Sequence, residues 1–599
     1  MKTLLPKVML LLLALLLANP AKSFAQDILD VDVLPVGNVN NVINGDTLAN
    51  GTRANPDRIY RLQRGGVYQV TEPLRINGSL NIIATEGTER PPVLAPAILP
   101  DNSSIDHFFS FIGKGAKVNI NNLYLISIRA DGNQLSWSDA IRLQADSVHL
   151  TLRGVIFDGF SHTALDLQAH WNKLDVQDCH FRNHKHGTSW FGGGGFLSGY
   201  PIHQDTSKFI NNTFFSNNSY NWSIRGYTPK AIFEHNTLVY GTVNPLLMDR
   251  GFKLDIKNNL FYAVHAFGGN PTHVIDGWFL NYPDTASSSI IQIRANDSIS
   301  PWSQAWAATI LGPEDVFVDP ALGVTADMVT PDKRELFIEN NAYFWPQELM
   351  DFIDAYNDTT TKFDSITVPN GTPEGGRAWV KREIRKPKFI SDYARYVLDS
   401  IFTRNNTPHS FENNIEADPG FTDANVLNHL DDLINYISKI STDRLDNPWW
   451  FDPNNSLYPP AWPLPENLRY TNPDLMTAGT DGLPLGDLNW FPELKPTDVK
   501  QTSEQVPEQY KLSDAYPNPF NPETKFDFSL TNAGNVKISI YNVIGQKVRS
   551  LINTEMKAGN YTATWNGKDD SGKQVVSGTY IYSLETNSVR LTRKMVLLK

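Results

Sequence analysis

A loop between residues 184 and 205 carries the side chains whose types could do chemistry. It combines histidines, an aspartate and large aromatic residues with four consecutive glycines (His184, His186, Trp190, Gly192–Gly195, Tyr200, His203 and Asp205). Imidazole titrates near neutral pH, so His186 or His203 could act as a general base, with Asp205 beside it. Trp190 could pack on a sugar ring. The spacing of the histidines matches no metal motif, so we assign no metal ligand. A solvated loop with incidental histidines is the alternative interpretation.

Three charged residues further along the chain could complete a binding groove. Arg225 and Asp249 are 24 residues apart, and Arg250 follows directly. Arginine can bind the carboxylate of an acidic sugar through two hydrogen bonds. We therefore predict that Trp190, Arg225, Asp249 and Arg250 bind substrate. The alternative is a surface ion pair between neighbouring coils, which contributes little to stability.

These residues lie in or beside a stretch that repeats itself six times. The copies begin at Val118, Leu150, Leu174, Ser207, Ala231 and Leu254. The third and eighth positions of each copy are apolar. The fifth position holds Asn122, Gly154, Asp178, Asn211, His235 and Asn258. Asparagine, glycine, aspartate and histidine are the types that adopt a left-handed backbone most readily, so the pattern predicts a strand, a sharp corner and a second strand.

The distance between copies predicts a solenoid. Successive copies are 32, 24, 33, 24 and 23 residues apart, and a period in the low twenties with insertions is typical of stacked β coils. We predict an all-β chain built on a right-handed parallel β-helix with inserted helices. Residues that follow the repeat at the same fixed distance in every coil are predicted to point outward and to stack in two columns. One contains Gln168, Gly192, Arg225, Asp249 and Thr272, and the other contains Asp166, Trp190, Ser223, Leu247 and Asn270.

The remaining segments define the predicted domains. Residues 26–492 form the β-helix domain, with insertions at about 263–334 and 345–410. Helical spacing appears in 346–356, 378–403 and 426–440. The stretch 447–492 is rich in proline and tryptophan and is expected to wrap the C-terminal end of the solenoid. Residues 493–511 form a polar linker, and the alternating strands of 512–599 predict a small antiparallel β-sandwich.

The N-terminus and the composition bear on location and partners. Lys2 and Lys7 precede an apolar run of 11 residues, and Ser23-Phe24-Ala25 fits a cleavage site, so residues 1–25 are predicted to be a signal peptide. No other apolar run approaches the roughly 20 residues of a membrane span, so no transmembrane segment is expected. A net charge of −12 argues against nucleic-acid binding. The single cysteine, Cys179, allows no intramolecular disulfide.

The C-terminal block resembles a known export domain. Tyr516-Pro-Asn-Pro-Phe520, Ile540-Tyr-Asn-Val-Ile-Gly-Gln546, Trp565-Asn-Gly567 and Arg593-Lys-Met-Val-Leu-Leu-Lys599 look like the C-terminal sorting domain of type IX secretion cargo. That domain in turn resembles the Ig-like domain of flagellar hook-capping proteins. The resemblance implies a Gram-negative bacterium of the Bacteroidota. It also implies that the secretion machinery recognises residues 512–599, and that the protein passes through the periplasm to the medium or the outer-membrane surface.

The solenoid resembles the pectate-lyase superfamily in its coil pattern. Asp418-Pro-Gly-Phe421 and Gly482-Leu-Pro-Leu-Gly-Asp-Leu-Asn-Trp490 look like the ending of chondroitinase-B-like β-helix proteins. The resemblance does not extend to that family's catalytic residues, so whether the protein is an enzyme stays open. Three functions remain: binding of extracellular polysaccharide, cleavage of acidic glycans by a lyase or hydrolase, and a structural solenoid without ligand. The cofactor is unassigned, with Ca²⁺ as one candidate because lyases of this kind can use it.

Overall fold

The computed structural model describes most of the chain from residue 27 to residue 598. The residues that it leaves out are 1–26, 86, 186–192, 199–201, 225, 243–244, 249–251, 265, 267–288, 293–318, 362, 369–375, 382, 439–448, 455–456, 496–499, 504–506, 522, 557, 568–574, 587 and 599. The predicted signal peptide therefore lies outside the described residues. Among the described helices, none is long and apolar enough to cross a membrane.

Stacked parallel sheets form the sides of the predicted β-helix. Sheet 1 contains eleven strands, all paired in parallel. They are Ile28–Val31, Ile59–Leu62, Leu80–Ala84, Lys117–Asn121, His149–Arg153, Asn172–Gln177, Gln204–Ile210, Ala231–Glu234, Lys253–Lys257, Glu335–Glu339 and His409–Glu412. Sheet 2 contains ten: Val67–Val70, Val93–Pro96, Tyr124–Ile126, Ile156–Asp158, His180–Arg182, Thr213–Asn217, Thr237–Gly241, Leu260–Tyr262, Ala342–Phe344 and Ile415–Glu416.

The third side is divided into two shorter parallel sheets. Sheet 3 contains Leu74–Ile76, His107–Phe111, Asp139–Leu143, Thr163–Leu167 and Gly194–Ser198. Sheet 4 contains Trp222–Ser223, Leu246–Leu247, Ser289–Gln292 and Lys388–Ile390. The last two strands of sheet 4 fall within the predicted insertions 263–334 and 345–410. Each insertion therefore also supplies the third side of a coil.

The corner between sheets 1 and 2 is left-handed in every coil of the repeat, as predicted. The φ angles at the fifth position are 56° at Asn122, 61° at Gly154, 57° at Asp178, 59° at Asn211, 50° at His235 and 60° at Asn258. The later copies at Asn340 and Asn413 have φ of 53°. The apolar columns are confirmed as well, because their residues from Ile120 to Phe261 are buried in the core. The left-handed corners and the buried columns both follow from a local sequence pattern that is repeated once in each coil.

A ladder of asparagines runs beside this corner. The side chain of Asn236 accepts from the backbone N–H of Asn212 at 3.0 Å and donates to the carbonyl of Phe209 at 3.0 Å. Asn259, Asn341 and Asn414 repeat the pattern in the following coils. All four ladder amides from Asn212 to Asn341 are buried. The ladder supplies hydrogen bonds to backbone groups that the corner leaves without strand partners.

The outer face of sheet 2 is covered, which corrects the prediction for residues 447–492. The described part of that stretch reaches from the first coils to the late ones and is not confined to the C-terminal end of the solenoid. Its described part, with the short helices Pro473–Leu475 and Leu488–Trp490, packs on sheet 2 with the helices Gln347–Thr359 and Ala424–Ser438. Tyr458 bonds to Gln69 near the first coils, and Thr480 bonds to Asn258 much later. The segment runs along the sheet because the outer side chains of sheet 2 are apolar and must be buried.

Helices close the two ends of the solenoid. Asn38–Gly45 packs beside the first strands with Val39 and Ile43 in the core. At the other end lie Asp392–Tyr396 and the π-helical Val397–Phe402, with Arg395 over the ring of Phe411 in the last coil. The predicted helix over 378–403 is wrong in its first half. Gly376–Lys381 forms a hairpin with Phe363–Val368, and the helix begins only at Asp392. Short 3₁₀ turns occur at Pro320–Leu322, Ala326–Met328 and Pro331–Lys333.

The C-terminal block is the predicted antiparallel sandwich. One sheet contains Lys500–Ser503, Gly559–Trp565, Thr524–Leu530 and Lys511–Leu512. The other contains Lys547–Met556, Gly534–Asn542, Gly578–Thr586 and Arg590–Leu597. Phe526, Trp565 and Tyr582 fill a core of its own between the sheets. Part of the predicted linker, Lys500–Ser503, forms an edge strand here.

Candidate functional site

Most residues that the sequence assigned to a site lie outside the described residues. These are His186, Trp190, Arg225, Asp249 and Arg250. Their proposed roles stay predictions. The register of sheet 3 nevertheless corrects the column that contained Trp190, because Asp166 pairs with Leu197. Counting a fixed distance from the repeat fails in this coil because its additional residues come before the strand Gly194–Ser198. Ser223 and Leu247 pair with each other as predicted, but both are buried.

His184 belongs to the core and not to a reactive cluster. Its ring is completely buried against Phe160, with a centroid distance of 5.6 Å, and its Nε2 lies 3.2 Å from the carbonyl of Phe157. Burial, with the cations Lys185 and Arg182 nearby, lowers the pKa of His184 to about 3. The imidazole is therefore neutral at physiological pH and has a structural role.

His203 and Asp205 lie at the opposite end of the Gly194–Ser198 strand from His184. His203 is buried, and its Nδ1 accepts from the backbone N–H of Tyr227 at 3.0 Å. Its Nε2 lies 3.6 Å from Asp319, and burial lowers its pKa. Asp205 forms a half-exposed ion pair with Lys173 at 3.5 Å. The described members of the predicted loop cluster therefore do not converge on one point.

A different group of charged residues does converge, where sheet 2 turns into sheet 3. We call Asp106, His107, Trp137, Asp139, Arg142, His162 and Asp166 the corner site. Backbone hydrogen bonds stack its coils: Asp139 N–H donates to the carbonyl of Asp106, and His162 N–H donates to that of Ser138. In the next coil Gly193 donates to the carbonyl of His162 at 2.9 Å.

Asp139 is the centre of this arrangement. Its Oδ1 lies 2.6 Å from Nδ1 of His162, and its Oδ2 accepts from Nε of Arg142 at 2.7 Å. Arg142 also donates to Asp106 at 2.9 Å. Burial opposes the charge of Arg142, but the carboxylates of Asp139 and Asp106 raise its pKa above the ordinary value. Asp139 thus holds His162 and Arg142 in fixed orientations.

His162 contacts Asp139 through one ring nitrogen and Trp137 through its ring face. Its Nδ1 lies 2.6 Å from Oδ1 of Asp139, and no hydrogen bond of Nε2 is found within the described part of the chain. The ring stacks on Trp137 at a centroid distance of 4.4 Å and an interplanar angle of 20°. Trp137 is 46% exposed and has a φ of 50°. An exposed tryptophan in a left-handed conformation is unusual, because the bulky side chain makes that backbone unfavourable.

Asp166 adds a second carboxylate in the next coil. One oxygen accepts from Gln168 at 2.6 Å, and Gln168 in turn accepts from Gln144 at 3.0 Å. Burial, reinforced by the charge of Asp139, raises the pKa of Asp166. An imidazole acting as a base beside a carboxyl group of raised pKa is an arrangement that acid–base catalysis can use. Of the corner site, sequence reasoning identified only Asp166, through its outward column.

The corner site is a poor match for calcium. Asp139, His162 and Asp166 bring one ligand atom each within 4.8 Å of one another. Calcium takes about six to eight oxygen ligands. Both oxygens of Asp139 already contact His162 and Arg142, so few donors are left for an ion.

A second constellation has triad-like geometry but no access. Ser216 Oγ lies 2.7 Å from Nε2 of His429, whose Nδ1 lies 2.8 Å from Asp432. Lys185 donates to the same Oγ at 2.7 Å, and its ammonium lies over the ring of Trp449. Ser216, His429 and Lys185 are buried beneath the segment on sheet 2. These buried side chains therefore hold the covering segment on sheet 2 and are not accessible to a substrate.

A cleft at the N-terminal end of the solenoid has a volume of about 620 Å³. Its lining includes Asp30, Arg61 and Arg64. Arg61 donates to both oxygens of Asp30, and Arg64 donates to the backbone carbonyl of Thr85. Both arginines are thus already paired within the cleft, and the corner site is the stronger candidate.

Comparison with known proteins concerns the C-terminal part of the chain. The FlgD Ig-like domain matches residues 514–589. The crystal structure of FLGD from P. aeruginosa is 23% identical, covering 16% of this chain and 74% of that chain with a TM-score of 0.12. PorZ, described as an essential bacterial surface component of the type-IX secretion system of Porphyromonas gingivalis, is 16% identical. That alignment covers 20% of this chain and 14% of PorZ, with a TM-score of 0.12. No curated protein matches the chain.

The family match agrees with the fold of the C-terminal sandwich. It spans most of the segment from 512 to 599 that the sequence marked as a separate block. The resemblance of the solenoid to the pectate-lyase superfamily stays a prediction.

Proposed function

We propose that this is an exported cell-surface or secreted protein whose β-helix binds extracellular polysaccharide at the corner site. The observation that carries the proposal is Trp137, which stacks on His162 and still exposes nearly half of its surface. Aromatic faces pack on sugar rings, and the neighbouring carboxylates and amides can bond to hydroxyl groups. Successive coils of sheet 3 present these carboxylates and amides, so an extended polysaccharide could lie along the direction in which the coils stack.

Replacing Trp137 with alanine should weaken polysaccharide binding about tenfold or more. Fully burying a large apolar side chain contributes roughly 1.5–3 kcal/mol, and 1.4 kcal/mol is a tenfold change in affinity. The measurement is affinity electrophoresis of the mature full-length protein through gels that contain soluble polysaccharides. Trp462→Ala is the matched control, because Trp462 is 41% exposed but lies on the covering segment beside Thr88. Equal retention of the two variants would remove the corner site as the binding surface.

Export is proposed to depend on the C-terminal sandwich. The sorting-domain resemblance and the FlgD Ig-like match both fall on this block. Deleting residues 512–599 should leave a folded solenoid in the periplasm, because the core of the sandwich is separate from that of the solenoid. Immunoblots of periplasm, outer membrane and medium from a host with type IX secretion measure this. The full-length Trp137→Ala variant is the control and should be exported normally. Normal export of the truncated protein would contradict the assignment.

Cleavage of the bound glycan is the second candidate function. It is favoured by the contact of His162 Nδ1 with Asp139, which orients the imidazole and leaves Nε2 as the potential base. Asp166, with its raised pKa, could protonate a leaving oxygen. The binding assay tests this directly when new reducing ends and unsaturated ends are assayed in the same samples. Retention without new ends leaves a binding protein.

A further inference from the structure

The charges of the corner site bear on which class of glycan it accepts. Its only guanidinium, that of Arg142, already donates to Asp139 and Asp106. Binding a sugar carboxylate through Arg142 would require at least one of these contacts to break, and a desolvated charge that loses its partner is costly. Arg142 therefore orients the site and does not present a free cation to a ligand.

Carboxylates outnumber cations in the corner site. Asp106, Asp139 and Asp166 face the single arginine, and burial lowers the pKa of His107, which favours its neutral form. With His162 neutral, Asp106 and Asp139 alone outnumber the single arginine, even when Asp166 is protonated. The whole chain carries a net charge of −12, which adds to the repulsion of an anion.

The remaining polar groups suit hydroxyls. One oxygen of Asp166 accepts from Gln168, and the other has no hydrogen-bond partner among the described residues. Gln168 and Gln144 form a row of amides along neighbouring strands. Carboxylates accept strong hydrogen bonds from hydroxyl donors, and amides can both donate and accept.

From these observations we infer that the corner site binds neutral glycans and rejects uronic or sulfated ones. This inference rests on the proposed function, since it names the ligand class of the same site. It differs from the acidic glycan that the sequence suggested through Arg225, which lies outside the described residues.

The test compares chemically paired polysaccharides on the mature full-length protein. Neutral galactan is paired with polygalacturonate, and neutral xylan with glucuronoxylan, at low and at high salt. Retention by at least one neutral member, with little effect of salt, is expected. Its acidic partner should retain the protein at least several-fold less at low salt, because screening weakens like-charge repulsion only at high salt.

Asp106→Asn is the informative variant. It removes the charge of an exposed carboxylate and weakens one contact of Arg142. Repulsion of the acidic members should weaken, so their retention at low salt should increase several-fold relative to the natural protein. Lys114→Gln, which alters a half-exposed surface pair with Asp146 outside the corner site, is the control and should not change the preference.

The possible outcomes separate the inference from the proposed function. Preferential or equal retention by the acidic members in the natural protein would overturn the neutral-glycan inference and leave glycan binding in place. Retention by no polysaccharide, neutral or acidic, would overturn both. Neutral retention that is unaffected by Trp137→Ala would place binding elsewhere on the protein and also overturn the inference.

Discussion

Replacing Glu466 with alanine should lower the free energy of unfolding by about 3–5 kcal/mol, the cost of removing one member of a buried ionic group. Glu466 lies on the segment that covers sheet 2, is buried against the sheet, and accepts two bonds from Arg182, at 2.8 and 3.1 Å. Arg182 also donates to Asp158 at 2.6 Å, and Asp158 accepts from Tyr124. Although burial opposes ionisation, the charge of Arg182 lowers the pKa of Glu466 to about 2. The pair is therefore charged at neutral pH.

Urea unfolding followed by tryptophan fluorescence measures this loss. Glu493→Ala is the matched control, because Glu493, which follows the segment directly, pairs at 2.6 Å with Arg469 of the segment, and this arginine is 44% exposed. Exposed ion pairs contribute about 0–1 kcal/mol, so the control should change little. Similar losses in the two variants would show that the Arg182–Glu466 pair does not anchor the segment.

Replacing Asn236 with leucine should cost roughly 2–4 kcal/mol. The substitution removes the acceptor of the Asn212 backbone N–H and the donor to the Phe209 carbonyl. Each buried polar group left without a partner costs about 1–3 kcal/mol. Leucine itself should fit, because Leu123 occupies the same position of the repeat in an earlier coil and is buried there. The loss would therefore come from hydrogen bonding and not from overpacking.

Asn119→Leu provides the comparison for this variant. Asn119 lies on the outer face of sheet 1, where its side chain donates to Asn81 at 2.7 Å. Water can replace that bond, so we expect a change of no more than about 1 kcal/mol. The measurement is the free energy of unfolding in urea for both variants. A loss below about 1 kcal/mol for Asn236→Leu would mean that the ladder is dispensable.

The sequence alone determined the repeating parts of the molecule. The residues at the left-handed corner and the buried columns recur once per coil, and each depends on its own side chain and its immediate neighbours. Asn122 and Asn258 could therefore be assigned the same conformation from residue type and position, and both have it. The sandwich was predictable for a related reason, since its strands alternate and are separated by turn residues.

Only the tertiary structure decided the corner site and the course of the covering segment. Asp106, Asp139 and His162 come together because coils of unequal length stack in one register, and a fixed offset from the repeat cannot follow those lengths. The segment after Trp449 has no periodicity, so its sequence gives no direction along the solenoid. It lies on sheet 2 because Tyr240 and Tyr262 make the outer face of that sheet apolar. Burying this apolar face is favourable for any part of the chain that can reach it.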